Sequence, residues 1–301
     1  MGRHSIDLLN TLTIFKVLSG RGLHCDQACL PPVISAKEYQ TKDHSSLGAI
    51  ALPLVEIFSA IQGEGANVGC RQIFIRLAGC DLRCTYCDSA HTWFVPSHAL
   101  IEKQTGDRHF QTVPNPVSAA HILEAVQRLN TPPIHDSISL TGGEPLLHAA
   151  TLARFLPLLK AHSSLPLYLE TGGHHPEALQ LILPYLDSVG MDIKLPSVSG
   201  ECHWSAHGVF LRLCDRAPVE VFCKVIVSRT TDPADLDRLS ALVASVNPHI
   251  PIFLQPVTPV GTGRCTPPPT PDQVLKWQGQ LKTRLTHVRV VPQTHKFLGQ
   301  R

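Results

Sequence analysis

Leu77-Ala78-Gly79-Cys80-Asp81-Leu82-Arg83-Cys84-Thr85-Tyr86-Cys87-Asp88-Ser89-Ala90 decides how the rest of the chain is read. Three cysteines spaced C-x3-C-x2-C can ligate three irons of one cubane and leave a fourth iron open, whereas an electron-transfer [4Fe–4S] protein supplies four. A structural zinc also wants a fourth ligand, for which His91 is the candidate. Zinc and three unligated thiols both stay open at this point. The loop follows Gln72–Ala78, a β-branched-rich run that predicts a strand, so the thiols sit at that strand's carboxyl end. Tyr86 places an aromatic ring just before the last cysteine, where it can stack on an adenine.

Outward from the loop, short apolar runs alternate with longer amphipathic ones. Strands are predicted at Gln72–Ala78, Ser137–Thr141, Leu167–Glu170, Ser188–Lys194, Val221–Val227, Ile252–Gln255 and Val288–Val291. Helices are predicted at Val117–Asn130, Leu152–His162, Pro176–Ile182, Pro233–Val246 and Thr270–Leu285. Pro233 and Pro271 suit a first helical turn, and Asp232 and Thr270 can cap. Strand–helix alternation of this kind means crossover units and a mostly parallel sheet. The fold class is therefore α/β, a partial (β/α)6-type barrel whose ligands bind at the carboxyl ends of the strands. A second motif, Ser139-Leu140-Thr141-Gly142-Gly143-Glu144-Pro145, ends the strand after the cysteine loop. Its two glycines let backbone approach a ligand closely, and Glu144 can accept hydrogen bonds from an ammonium group.

Composition excludes several classes. In 301 residues, Lys plus Arg is 26 and Asp plus Glu is 24, a formal charge of +2, so an electrostatic nucleic-acid binder is not expected. The chain has no uninterrupted apolar run of about 18 residues, the length a membrane span needs. Ten cysteines are too few for a disulfide scaffold of this length, and in a reducing compartment the closeness of Cys80, Cys84 and Cys87 suggests a metal site; a cytoplasmic location is expected. Residues 1–50 differ from the rest, with Cys25, Cys29, Pro31-Pro32 and a polar run from Lys37 to Ser46. They read as a loosely ordered N-terminal extension, and residues 51–301 as the core domain. Cys70, Cys202, Cys214, Cys223 and Cys265 read as core or loop thiols. His174-His175 reads as a loop pair rather than a metal site.

The cysteine loop and the Thr141-Gly142-Gly143-Glu144-Pro145 turn together resemble the radical S-adenosylmethionine superfamily. The resemblance implies that Cys80, Cys84 and Cys87 hold a [4Fe–4S] cluster, that the open iron chelates S-adenosylmethionine, and that one electron cleaves the sulfonium bond to give a 5′-deoxyadenosyl radical. Within that superfamily, Val55–Gly65 before the cysteine strand, Ile75–Gly79 running into Cys80, and Asp88-Ser89 after Cys87 resemble the 7-carboxy-7-deazaguanine synthases. Leu169-Glu170-Thr171, Asp192-Ile193-Lys194, Lys224-Val225, Leu254-Gln255-Pro256 and Val291–Lys296 extend the resemblance from about Leu54 to the C-terminus. It implies turnover of 6-carboxy-5,6,7,8-tetrahydropterin to 7-carboxy-7-deazaguanine, with ring contraction and loss of ammonia, in queuosine or other 7-deazapurine biosynthesis.

By the same resemblance, Ile61, Gln62 and Gly63 read the pterin edge, Thr141 contacts the substrate, and Arg76 binds its carboxylate. A guanidinium fork suits a carboxylate, although an internal ion pair with Glu56 or Asp192 is the competing role for Arg76. Ser89 is the implied hydroxyl ligand to Mg2+. Tyr86, Cys87, Asp88 and Gly143, with Lys194, Ser197 and Gln255 at strand ends, are implied contacts of S-adenosylmethionine; Lys224 is another strand-end candidate. His295 and Lys296 are placed to close the site over the pterin. An electron donor such as flavodoxin or ferredoxin and a homodimer are implied at the family level. A glycyl-radical-enzyme activase shares the cysteine loop and the glycine turn, but does not account for Gln62-Gly63-Glu64-Gly65.

Overall fold

The computed structural model describes residues 50–258 and 266–300. Residues 1–49, which contain nearly all of the expected extension, and Cys265 lie outside the described residues. The strands are β1 (Ala51–Leu52), β2 (Leu54–Ile61), β3 (Arg71–Leu77), β4 (His98–Glu102), β5 (Phe110–Pro114), β6 (Val117–Ser118), β7 (Ser137–Gly142), β8 (Leu167–Thr171), β9 (Ser188–Asp192), β10 (Glu220–Val227), β11 (Ile252–Pro256) and β12 (Val288–Val290). The helices are α1 (Ala119–Leu129), α2 (Ala149–His162), α3 (Pro176–Ile182), α4 (Pro196–Ser199), α5 (Trp204–Asp215), α6 (Pro233–Val246), α7 (Pro271–Lys282) and α8 (Thr294–Phe297).

The main sheet has the order β12-β11-β10-β9-β8-β7-β3-β2-β4-β5. It is parallel throughout from β3 to β12. Helices α1, α2, α3, α5, α6 and α7 fill the successive crossovers, and β5 and β12 remain as edges. This is the expected open β/α architecture. Strand alternation sorts the side chains. Ile73, Ile75, Leu140, Leu169, Val189, Met191, Val225 and Leu254 point into one apolar core shared with helix residues such as Ile122, Leu156, Phe210 and Leu239. Phe74, Arg76, Thr141, Glu170, Asp192, Lys224 and Gln255 alternate with them and line a cavity instead.

The helix starts follow from local chemistry. The Asp232 side chain accepts from Ala234 N at 2.9 Å, and Thr270 and Gln273 form a reciprocal capping box, each followed by a proline in the first turn. Eight elements go beyond the predicted set: β1, β2, β4, β5, β6, α4, α5 and α8, with β6 standing where the predicted helix Val117–Asn130 was to begin. Strand β2 is buried on both faces, so its sequence LVEIFSAI lacks clean alternation. Strands β4 and β5 form an antiparallel pair at the sheet edge. Helix α5 has apolar positions at helical spacing, but Gly208 interrupts its propensity. Strand β9 ends at Asp192 rather than Lys194.

Candidate active site

The cysteine loop leaves β3 and is fastened at its base. Ala78 N donates to Pro53 O at 2.9 Å, Gly79 N to Thr92 O at 2.7 Å, and His148 Nε2 lies 2.7 Å from Ala78 O. The glycine turn after β7 docks directly on this base. Gly143 N donates to Leu77 O at 3.2 Å and Glu144 N to Gly79 O at 2.8 Å. A Cβ on Gly143 would lie 2.1 Å from Gly79 O and 2.9 Å from Cys80 Cβ, so only glycine lets the two motifs meet. On the other side Thr85 N donates to Ser199 O at 3.2 Å, and Arg83 N to Glu201 Oε1 at 2.8 Å.

Cys80, Cys84 and Cys87 face one cavity of about 650 Å³. Burial pushes the Cys80 thiol up to about 11 and raises Cys84 and Cys87 as well, so the three stand protonated until a metal displaces their protons. Tetrahedral zinc with Zn–S bonds near 2.3 Å would draw sulfurs to about 3.8 Å of one another. Among the described residues, the side-chain groups with ligand atoms all within 4.8 Å are Asp81/His174/His175 and Glu64/Asp88/His295. The three thiols do not form such a group. Lining one cavity but standing too far apart for one tetrahedral ion, they fit a multi-iron cluster better.

The facing wall is a network of buried charges. Gln62-Gly63-Glu64 leaves β2 and turns inward. Glu64 Oε2 accepts from Lys224 Nζ at 2.5 Å, and its Oε1 accepts from Gln255 Nε2 at 3.0 Å and Gln293 Nε2 at 2.8 Å. Burial pushes the Glu64 pKa up, but Lys224 outweighs it and holds Glu64 below the usual range. Lys224 also lies 3.9 Å from Glu170. Glu170 in turn accepts from Gln62 Nε2 at 2.7 Å, Ser139 Oγ at 3.1 Å and Thr141 Oγ1 at 3.3 Å. A second pair, Lys194 Nζ to Asp192 Oδ2 at 2.8 Å, stands over the Tyr86 ring, whose hydroxyl is 3.3 Å from Nζ. Burial opposes the charge on Lys194, yet Asp192 keeps its pKa well above the ordinary lysine value. Asp192 Oδ1 and Gln255 Oε1 are buried without hydrogen-bond partners, two acceptors ready for ligand donors.

Arg76 faces the cavity from β3, 5.4 Å above the Phe58 ring, and its Nε donates to Glu56 Oε1 at 3.0 Å across the β2–β3 pair. The internal pair with Glu56 is thus present, and it occupies one of five donors on the fork. Ile61, Gln62, Gly63, Thr141, Gly143, Tyr86, Asp88, Ser89, Lys194 and Gln255 share the cavity with the thiols. Ser197 does not line it: its N donates to Asp235 Oδ2 at 2.8 Å and its Oγ accepts from Asp232 N at 3.0 Å, tying α4 to the start of α6. Glu144 is also committed internally, accepting from Leu146 N, Thr171 Oγ1 and Gly172 N. The sequence placed Glu64, Asp192 and Gln293 in matching stretches, and Asp192 as a possible partner of Arg76, but gave none of them a role in the site; Asp192 pairs with Lys194 instead. The signal available was a charged residue between two glycines, Gly63-Glu64-Gly65, and the repeated pattern of a charge at a strand end.

The C-terminal segment covers the cavity. Thr294 N donates to Gly63 O at 3.0 Å, and a Cβ on Gly63 would strike the His295 backbone and ring. Gln293 Nε2 bridges Glu64 and Asp88, and Lys296 Nζ pairs with Asp88 at 2.9 Å. Burial would raise the Asp88 carboxyl, but Lys296 and these hydrogen bonds hold it down to about 2. Ser89 Oγ donates to Asp88 Oδ1 at 3.1 Å beside this ionised group.

Comparison with known proteins agrees with this geometry. The family model of the radical SAM superfamily matches residues 74–228. A 7-carboxy-7-deazaguanine synthase of Geobacter sulfurreducens is 44% identical over 252 residues, covering 82% of this chain and 97% of the relative. One from Thermococcus kodakarensis is 33% identical over 224 residues, covering 69% and 84%. The crystal structure of QueE from Escherichia coli superposes with a TM-score of 0.53 at 21% identity, covering 83% of this chain and 99% of that one, which supports the fold. The chain belongs to the 7-carboxy-7-deazaguanine synthases of the radical S-adenosylmethionine superfamily.

Proposed function

We propose that this protein converts 6-carboxy-5,6,7,8-tetrahydropterin to 7-carboxy-7-deazaguanine, releasing ammonia. The observation that carries the reading is one cavity in which three thiols, the Arg76 fork and a row of strand-borne carboxylates and amides face each other. Cys80, Cys84 and Cys87 would hold a [4Fe–4S] cluster, which would supply the electron for reductive cleavage of S-adenosylmethionine. The protein's own groups do the rest of the positioning. Arg76 anchors the substrate carboxylate, while Glu56 fixes its direction through Nε. Ile61, Gln62, Gly63 and Thr141 address the pterin. Gln62 is itself locked by Gln72 and Glu170, which presets where its amide stands. Tyr86, Asp88, Gly143, Lys194 and Gln255 attend S-adenosylmethionine; Ser197 contributes by anchoring α4 beside them.

Ser89 is proposed to hold Mg2+ together with substrate oxygens. The hydroxyl is a hard ligand, and ionised Asp88 next to it favours a cation. Residues 51–301 are proposed to carry the activity, with flavodoxin or ferredoxin as electron source, a homodimer as the assembled form and the cytoplasm as its place. No helix among the described residues is long and apolar enough to cross a membrane.

The test is anaerobic reconstitution with iron and sulfide, followed by addition of S-adenosylmethionine, reductant and the carboxytetrahydropterin. Formation of 7-carboxy-7-deazaguanine with net recovery of S-adenosylmethionine is expected. S-adenosylmethionine cleavage without pterin turnover, together with radical formation on a glycyl peptide, would assign an activase instead.

A further inference from the structure

Asp81, His174 and His175 meet beside the cysteine loop, and none of the three lines the catalytic cavity, although their neighbours Cys80, Leu82 and Gly172 do. Asp81 follows the first cluster cysteine, and the two histidines follow β8. Both rings turn the same nitrogen toward one carboxylate. His174 Nε2 lies 3.0 Å from Asp81 Oδ1 and 3.2 Å from Oδ2, and His175 Nε2 lies 2.8 Å from Oδ2. The rings are 4.0 Å apart between centroids.

The remaining nitrogen of His174 is the telling atom. Nδ1 is buried with no hydrogen-bond partner, 3.9 Å from Glu144 Oε2. A neutral imidazole carries one N–H. If Nε2 holds it, to serve Asp81, then Nδ1 turns a lone pair toward a buried carboxylate. If Nδ1 holds it, to serve Glu144, then Nε2 turns a lone pair toward Asp81. A cation at the two Nε2 atoms removes the conflict. Each Nε2 lone pair then becomes a ligand, Asp81 supplies an oxygen, and Nδ1–H of His174 points at Glu144. At 3.9 Å this is an approach and not yet a hydrogen bond, but it has the direction by which an outer carboxylate sets the tautomer of a metal-bound histidine.

We propose that Asp81, His174 and His175 form a second metal site, separate from the iron–sulfur cluster, which takes a divalent transition ion of the zinc class. Two imidazoles and one carboxylate suit zinc and its neighbours rather than calcium or magnesium. Asp81 is 39% exposed and His175 29%, so an ion reaches the site from solvent and water completes its shell. Its role is to staple the cysteine loop to the end of β8. The ion ties Asp81, next to Cys80, to the segment that also donates Gly172 N to Glu144.

The experiment is equilibrium dialysis of the cluster-loaded protein against Zn2+ without reductant or substrate, with zinc and iron counted separately. One zinc per chain with unchanged iron is expected for the wild type. His175→Gln and Asp81→Asn, each retaining the wild-type iron content, should weaken binding by about tenfold or more, while His249→Gln on the distant surface should not. The anaerobic melting temperature should rise with zinc in the wild type and not in the two site variants. Failure of the wild type to bind zinc, equal binding by the site variants, or uptake matched by loss of iron would each overturn the proposal. None of these results depends on which substrate the enzyme turns over.

Discussion

Leu140 and Thr141 are neighbours in β7, yet they belong to different halves of the molecule. Leu140 is fully buried in the helix-facing core, and Thr141 donates to Glu170 in the cavity. The same division separates Ile75 from Arg76, Met191 from Asp192, Val225 from Lys224 and Leu254 from Gln255. On the helix face, stability comes from apolar area removed from water, roughly 25 cal/mol per Å². On the cavity face, charges are buried, which costs free energy unless each is paired. A sheet that placed only packing residues on both faces would be easier to stabilise. The polar face is retained because the fold must orient a charged cofactor and substrate there.

Several substitutions break or sharpen this contrast. Cys80→Ser, Cys84→Ser and Cys87→Ser should each abolish turnover and impair cluster binding, read as iron per chain and product formed. Lys224→Met removes one member of a buried pair and should destabilise by about 3–5 kcal/mol in anaerobic thermal unfolding. Combining it with Glu64→Gln should recover part of that stability while turnover stays lost. Recovery of both would mean that the pair is only structural. A smaller effect is expected at the loop edge: Ser89→Ala should keep its cluster but lose most of the stimulation of turnover by Mg2+. A wild-type response to Mg2+ would leave Ser89 as a partner of Asp88 and nothing more. Smallest of all, deletion of residues 1–48 should leave kcat/KM nearly unchanged, because among the described residues the strand pairing and the cavity residues named above begin at or after Ala51.

Apart from α5, the helix-facing half of the molecule was legible in the sequence. Runs such as Ser137–Thr141 and Val221–Val227 announce parallel strands, and Asp232-Pro233 and Thr270-Pro271 announce helix starts, because those signals are local. The cysteine loop and the glycine turn were equally readable, and their contact through Gly143 follows from glycine's missing Cβ. The cavity network was less accessible. Glu64, Lys224 and Gln293 are far apart in the chain, and nothing local to any of them says that they meet. Ser197 shows the limit of proximity in sequence: it follows Lys194 closely, yet its hydroxyl accepts from Asp232 N at the start of α6. His174-His175 read as an ordinary loop pair because Asp81, the residue that gathers both rings, comes from another loop.

The division between the two faces is tested most directly by adjacent residues on one strand. Ile75→Ala and Arg76→Lys should be compared for anaerobic unfolding and for kcat/KM with the carboxytetrahydropterin. Ile75→Ala should lose about 2–5 kcal/mol of stability, and the folded fraction should turn over at close to the wild-type rate. Arg76→Lys keeps the charge but loses the fork, so it should unfold near the wild-type temperature. Its kcat/KM should fall by roughly ten- to a hundred-fold, with binding of S-adenosylmethionine little changed. If Arg76→Lys instead lost stability like Ile75→Ala while using the substrate normally, the guanidinium would serve only Glu56, and the cavity face would not be the carboxylate-binding wall described above.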